Sequence, residues 1–199
     1  IEEGTRFAQR YHGGRLQPVS EEADAWAYMA AMEVLGAAGY EHYEVSNFAR
    51  PEYRSLHNWG YWHGAEYLGV GLSAHAFLDG QRQWNTRDVG EYLRYIEASQ
   101  SPCVGQEVLS PERAREEQVW LQLRTAAGVV LHADELVSLQ AAARFDGLLQ
   151  EGLIRLDGCR VCLTPQGFLL ADVIGAEVVD MLAYPERGLV RGAPTCNLV

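Results

Sequence analysis

The sequence predicts a mixed α/β chain in two parts, helices alternating with strands over residues 1–100 and a small winged-helix-like α+β domain over 110–182. Three observations carry that reading. Trp26, Ala30, Val34 and Ala38 keep a helical spacing of four just ahead of the strand-like run Tyr40–Asn47. Ser110-Pro111-Glu112 reads as a helix start after a Pro- and Gly-containing stretch. Asp157-Gly158 sits between two short alternating runs, the strongest local hairpin signal.

Taken in order, Ser20 suits an N-cap, Glu21 and Glu22 sit at the positive end of the helix dipole, and Gly39 suits a C-cap, which predicts a helix over 20–38. Tyr40 to Asn47 mixes aromatic, β-branched and polar residues and is expected as a strand. Phe48 to Asn58, with Pro51, is expected as a loop. Tyr67 to Phe77 reads as a strand interrupted by glycines, where another backbone or a ligand comes close. Asp79-Gly80 predicts a turn with Arg82–Asn85 as the returning strand, then a short helix over Asp88–Ala98. Residues 101–109 are expected as a linker. Beyond it come a helix from Ser110 with Val119, Leu123 and Ala126 on one face, a second from Ala133, and a third over Leu139–Gln150. A hairpin over 153–163 and a helix from Thr164-Pro165 to Asp180 complete the domain, and 183–199 is expected as a tail.

The 199 residues carry 27 acids against 16 bases, every base being Arg, for a net charge of −11. Without Lys there is no Schiff-base chemistry, and a chain this acidic repels nucleic-acid phosphates. Over residues 110–180 six Arg face eleven acids, so the winged-helix-like domain lacks a basic groove-reading face and is expected to pack or dock. No signal-peptide pattern and no apolar run of roughly 20 residues is present, so a cytoplasmic protein without a membrane span is expected. The first residue is Ile1, which suggests a piece of a longer protein. Oligomeric state is not legible.

Four cysteines do not make a disulfide framework. Cys159 and Cys162 form a CxxC on an expected strand, where alternation sends the two thiols to opposite faces, against a shared metal. The run His57-Asn58-Trp59-Gly60-Tyr61-Trp62 crowds large aromatics around one imidazole, a pattern able to hold a flat apolar ligand and offer a nitrogen to iron. The same run is equally compatible with structural packing. Glu44, Ser46 and Asn47 form a polar cluster readable as a cofactor or substrate pocket or as strand-end capping. Ser73, Ala74 and His75 end the glycine-rich strand and carry the same two readings.

Tyr43-Glu44-Val45-Ser46-Asn47-Phe48-Ala49-Arg50-Pro51, the HNxxYW run from His57 to Trp62, and Tyr67-Leu68-Gly69-Val70-Gly71 through His75 together resemble the HemW-type heme chaperones and the related oxygen-independent coproporphyrinogen III oxidases. Ile1-Glu2-x-Gly4-Thr5 is similar to the family's IEPGT, and Leu109–Asp180 looks like its C-terminal domain. The resemblance implies the C-terminal part of a radical-SAM partial TIM-like barrel over 1–100, followed by that domain. It implies heme as the ligand of this portion, with His57 as axial ligand and Asn58, Tyr61 and Trp62 around it. Charge adds Arg50 and Arg54 as partners for heme propionates. Full-length members bind a 4Fe-4S cluster through CxxxCxxC, and S-adenosyl-L-methionine. None of the four cysteines here has that spacing, so the cluster ligands are absent from this chain. The function implied is heme binding and delivery to an acceptor protein. The alternatives are oxidative decarboxylation of coproporphyrinogen III, which leaves the enzyme question open, and a non-catalytic structural fragment.

Overall fold

The computed structural model describes Ile1 and residues 3–184. Glu2 and residues 185–199, with Cys196 and nearly all of the expected tail, lie outside the described residues. The chain divides into two compact units, Ile1–Gly39 and Tyr40 onward.

The first unit holds α1 (Arg6–His12) and α2 (Glu21–Ala37). Thr5 caps α1 by accepting the Ala8 N–H at 3.1 Å, and Ser20 caps α2 by accepting the Ala23 N–H at 3.2 Å. The expected helix is therefore present. Its spacing-of-four face is nonetheless open, with Trp26 73% and Val34 66% exposed.

The second unit begins with a correction. The expected single strand over 40–47 is a hairpin, β1 (Glu41–Glu44) and β2 (Asn47–Ala49), pairing antiparallel with His42 opposite Phe48. The cause is Glu44, whose carboxylate accepts the Ser46 N–H at 2.9 Å and a hydrogen bond from the Asn47 side-chain amide, turning the chain at Val45-Ser46. The expected loop over 48–58 also gives way, first to β2 and then to α3 (Leu56–Trp62). Ser55 starts α3 by accepting the Asn58 N–H at 3.3 Å.

Residues 67–74 are not a strand. Tyr67 alone bridges Phe77, each N–H donating to the other carbonyl at 2.9 Å, and the intervening chain loops out. Strands β3 (His75–Leu78) and β4 (Gln81–Asn85) meet at the Asp79-Gly80 turn as expected, and α4 (Val89–Glu97) follows with Asp88 as its cap. The expected linker at 101–109 instead contains β5 (Cys103–Val108), which pairs with β4 in the sheet β3-β4-β5. Gly105 permits this, because a Cβ there would enter the Trp84 ring.

The remainder comprises α5 (Pro111–Gln122), β6 (Val129–Val130), α6 (Ala133–Ala141), α7 (Ala143–Gln150), β7 (Ile154–Asp157), β8 (Arg160–Leu163), α8 (Pro165–Phe168) and α9 (Ala171–Ala183). Its sheet runs β6-β8-β7. The expected final helix is split at Leu169-Leu170, since Gly167 lies hard against the Leu153 carbonyl and Leu170 leaves helical geometry. Cys159 is not on the expected strand but in the hairpin turn, exposed, while Cys162 is buried in β8. Val119, Leu123, Leu139, Phe145, Leu148, Val161, Ile174 and Val178 form a core at 0–1% exposure. Arg124, 5% exposed, ties α5 to α9 through Asp172 and lies 3.2 Å over the Trp120 ring. Every strand pair among the described residues is antiparallel, so no parallel barrel pairing is present there. No described helix is long and apolar enough to cross a membrane.

Candidate functional site

Helix α3 carries the HNxxYW run and packs against α5. Residues four apart share a helix face, so His57 and Tyr61 stand one above the other. Their rings meet edge-on with centroids 4.6 Å apart, and Tyr61 meets Tyr67 in the same way, also at 4.6 Å. Tyr61 and Tyr67 line two cavities. One is a small pocket of about 140 Å³, lined also by His57 and Gly60. The other is a cleft of about 700 Å³. One wall of this cleft is Tyr61, Tyr67 and Phe77, with His63 and His75 beside them. The opposite wall comes from α5 and its approach, through Leu109, Ala114, Gln118 and Leu121.

The cleft wall depends on close backbone packing. Gly69 brings the loop after Tyr67 onto the backbone of His75, where a Cβ would stand 2.6 Å from the carbonyl carbon. This returns Phe77 alongside Tyr67. The His75 ring then stacks on Trp84, with centroids 6.1 Å apart and planes at 26°.

The cationic side chains in the cleft are Arg82 and Arg115, and both are already paired. Arg82 meets Glu117 at 2.6 Å and Glu107 at 3.6 Å. Arg115 grips Glu135 through two nitrogens at 2.6 and 2.7 Å and also donates to Gln118 at 2.8 Å. The hydrogen bonds from Arg115 hold the Glu135 carboxyl below its ordinary value, and Glu135 in turn holds the Arg115 guanidinium above its own.

The sequence-predicted residues divide sharply. His57, Tyr61 and His75 line the two cavities. Asn58 and Trp62 share α3 but line neither; the Asn58 N–H closes the helix cap, and the buried Trp62 indole N–H has no partner among the described residues. Arg50 lies over the Tyr40 ring at 5.4 Å, and Arg54 pairs with Glu41 at 2.8 Å while facing Tyr43 and Trp59, so neither reaches the cleft. Glu44 is fully buried in the β1–β2 turn, and its backbone bridges Thr125. The Glu44, Ser46 and Asn47 cluster is hydrogen-bonded within itself at this turn. Ser73 and Ala74 bond through the backbone to Thr86, Gly71 and Asn85, outside the cleft. His63, Tyr67 and Phe77 were not predicted as site residues. The available signal for His63 was its place four residues after Trp59 on the same helix.

Fold and site together define a class: a mixed α/β protein with a histidine- and aromatic-lined cleft between a short helix, an antiparallel sheet and a well-packed helical domain. Comparison with known proteins narrows it. The profile of the HemN C-terminal domain matches residues 109–170. The heme chaperone HemW of Mycobacterium tuberculosis is 34% identical over 176 residues, covering 87% of this chain and 44% of the relative. HemW of Lactococcus lactis is 34% identical over 177 residues, covering 86% and 46%. The mitochondrial radical S-adenosyl methionine domain-containing protein 1 of Danio rerio is 44% identical over 75 residues, covering 38% and 17%. The E. coli coproporphyrinogen III oxidase HemN, a radical-SAM enzyme, shares the fold with a TM-score of 0.55 at 15% identity, over 77% of this chain and 39% of HemN. The chain belongs to the HemW and coproporphyrinogen III oxidase-like radical-SAM family, as a C-terminal portion of it. It spans a little under half the length of the HemW relatives it matches.

Proposed function

We propose that this chain binds an iron tetrapyrrole at α3 and serves in heme delivery, as the portion of a HemW-like cytoplasmic protein that meets its cargo. The observation that carries the reading is the placement of the HNxxYW run on a helix whose Tyr61 forms part of an aromatic cleft wall. The residues suit such a ligand. A cavity of about 700 Å³ lies within the usual range of roughly 300–1,000 Å³ for small-molecule sites. Tyr61, Tyr67 and Phe77 offer ring faces and edges that exclude water from a flat apolar molecule. His57 is exposed on α3 beside the small pocket that shares Tyr61 and Tyr67 with the cleft, and its imidazole is a candidate iron ligand at that edge of the site. Since Arg50 and Arg54 lie elsewhere, carboxylates on the ligand would meet Arg82 and Arg115 at the cleft.

The domain from 110 to 182 reads as winged-helix-like, supported by its order of helix, strand, two helices and hairpin. With an acidic balance it serves as a packing and docking body. A 4Fe-4S cluster and S-adenosyl-L-methionine belong to the longer family members through the resemblance, and residues 1–100 correspond to their barrel on the same ground. The test is a titration of ferric heme into the chain and into His57→Ala. Binding with a shifted Soret band, altered in the variant, is the expected result. An unchanged band and affinity in His57→Ala would remove His57 as a ligand, and no binding to the parent chain would remove the proposal.

A further inference from the structure

We infer that the cleft has an iron ligand of its own, His63, whereas His57 lines the separate small pocket. The inference rests on the tetrapyrrole reading above and goes beyond its motif.

His63 is the C-cap residue of α3, and Gly64 at φ +68° turns the chain away immediately after it. Its ring Nδ1 lies 2.9 Å from the Trp59 carbonyl oxygen. A carbonyl oxygen only accepts, so Nδ1 carries a proton, and in the neutral ring the lone pair is then on Nε2. This is the arrangement by which metal-binding histidines are held: the far nitrogen bonds a backbone carbonyl, fixing both tautomer and ring orientation. The Trp59 ring adds a second restraint, lying against His63 with centroids 4.1 Å apart and the planes tilted by 30°. His63 is half-buried and lines the 700 Å³ cleft.

His57 has neither restraint. It is exposed, and its ring contact among the described residues is edge-on to Tyr61. Six residues separate it from His63, which at about 100° per residue puts the two on different helix faces and toward different cavities. His75 also lines the cleft, but among the described residues its ring is held by Trp84 stacking and by no hydrogen bond. No group of three or more His, Cys, Asp or Glu that could hold a metal ion is found among the described residues. A single oriented imidazole in an aromatic cleft therefore suits a metal whose other positions a macrocycle already fills, not a bare ion. The protein then has two coordination positions, one exposed at His57 and one sheltered at His63.

The test uses the full chain with two probes, ferric heme and metal-free protoporphyrin, and three variants, His57→Ala, His63→Ala and the double variant. Metal-free porphyrin reports the cleft without coordination and also shows that each variant has kept its fold. The expected result is histidine-type ligation persisting in His57→Ala, seen in the Soret band and by electron paramagnetic resonance, and lost in the double variant. Metal-free porphyrin should bind all of them alike. Loss of ligation in His57→Ala alone, with metal-free binding intact, overturns the role of His63 and leaves the proposed function standing. Ligation that survives in the double variant also overturns it. If neither probe binds the parent chain, the proposed function itself has failed.

Discussion

Gly69→Ala probes the packing that holds Tyr67, His75 and Phe77 at the cleft. An added Cβ would fall on the His75 carbonyl group, 2.6 Å from its carbon and 3.0 Å from the amide nitrogen, where ordinary contact begins at 3.4 Å. The atoms it meets are backbone, so no side chain can swing aside, and the two segments must part by roughly 1 Å. That movement strikes the Tyr67–Phe77 bridge, whose two hydrogen bonds are 2.9 Å long. Their loss costs about 1–3 kcal/mol and overpacking strain about 1–3 kcal/mol more. Local opening should therefore become easier by about 2–6 kcal/mol. Gly64→Ala is the comparison: with φ +68° and nothing within 4 Å of its Cβ position, it carries only the left-handed backbone cost, about 1 kcal/mol. Amide hydrogen exchange at Tyr67 and Phe77 reads the difference, with Leu123, bonded to Val119 within the core, as internal reference. Exchange accelerated no more by Gly69→Ala than by Gly64→Ala would refute the steric argument.

Three further predictions follow from the same geometry. Burial of His42 between Phe48 and Phe168, with ring centroids at 4.6 and 4.5 Å, holds its pKa below 6.5, although Val45 and Glu44 oppose this. The unfolded chain then takes up the proton first, so this stability is complete above pH 6.5 and is lost as pH falls below it; urea titrations should show His42→Phe with a flatter dependence in that range. Arg115→Ala leaves Glu135, 13% exposed, without its cation and should cost about 2–3 kcal/mol by chemical denaturation. With Arg115 in place, the depressed Glu135 pKa gives stability that is present above pH 4.5 and lost as pH falls through the folded value; Arg115→Ala should weaken that acid dependence. Trp62→Phe removes an indole N–H that has no partner among the described residues, an omission that costs about 1–3 kcal/mol when such a donor is buried, so its melting temperature should match or exceed that of the parent. A clear fall would show that the donor is satisfied.

Much of the fold was legible where the signal is local. Ser20, Ser110 and Thr164 each accept a backbone N–H at the start of a helix, Asp79-Gly80 closes one hairpin, and Gly158-Cys159, one residue beyond the expected Asp157-Gly158, closes another. The misreadings arise where a distant group decides. Nothing near Gly105 in sequence announces the Trp84 ring that needs it bare, so a paired strand read as a linker. Glu44 turns the chain through its own side chain, and an alternating pattern does not show that. Helix α3 is seven residues long, rich in aromatics and interrupted by Gly60, too short and too poor in helix formers for its period to emerge. Of the residues that line the two cavities, His57, Tyr61 and His75 are ones the motifs singled out. Tyr67 and Phe77 were not, because their pairing depends on how the loop between them closes.

That distribution of order bears on how a cargo would be held and released. Between residues 50 and 118, Thr86 alone is buried, whereas the core from Val119 to Met181 supplies most of the buried apolar side chains of the protein. The cleft therefore has one wall anchored, through α5, in a rigid domain and another drawn from half-buried aromatics over a short antiparallel sheet. Segments with few buried apolar contacts open at low free energy, so ordering the soft wall consumes part of whatever a ligand gains by stacking on it. An affinity reduced in this way is a liability for a resident cofactor and an advantage for a molecule that must be passed on. Under the proposed function, the sheltered imidazole of His63 supplies the grip and the soft Tyr67–Phe77 wall supplies the exit. Stiffening that wall should slow heme release more than it changes heme capture.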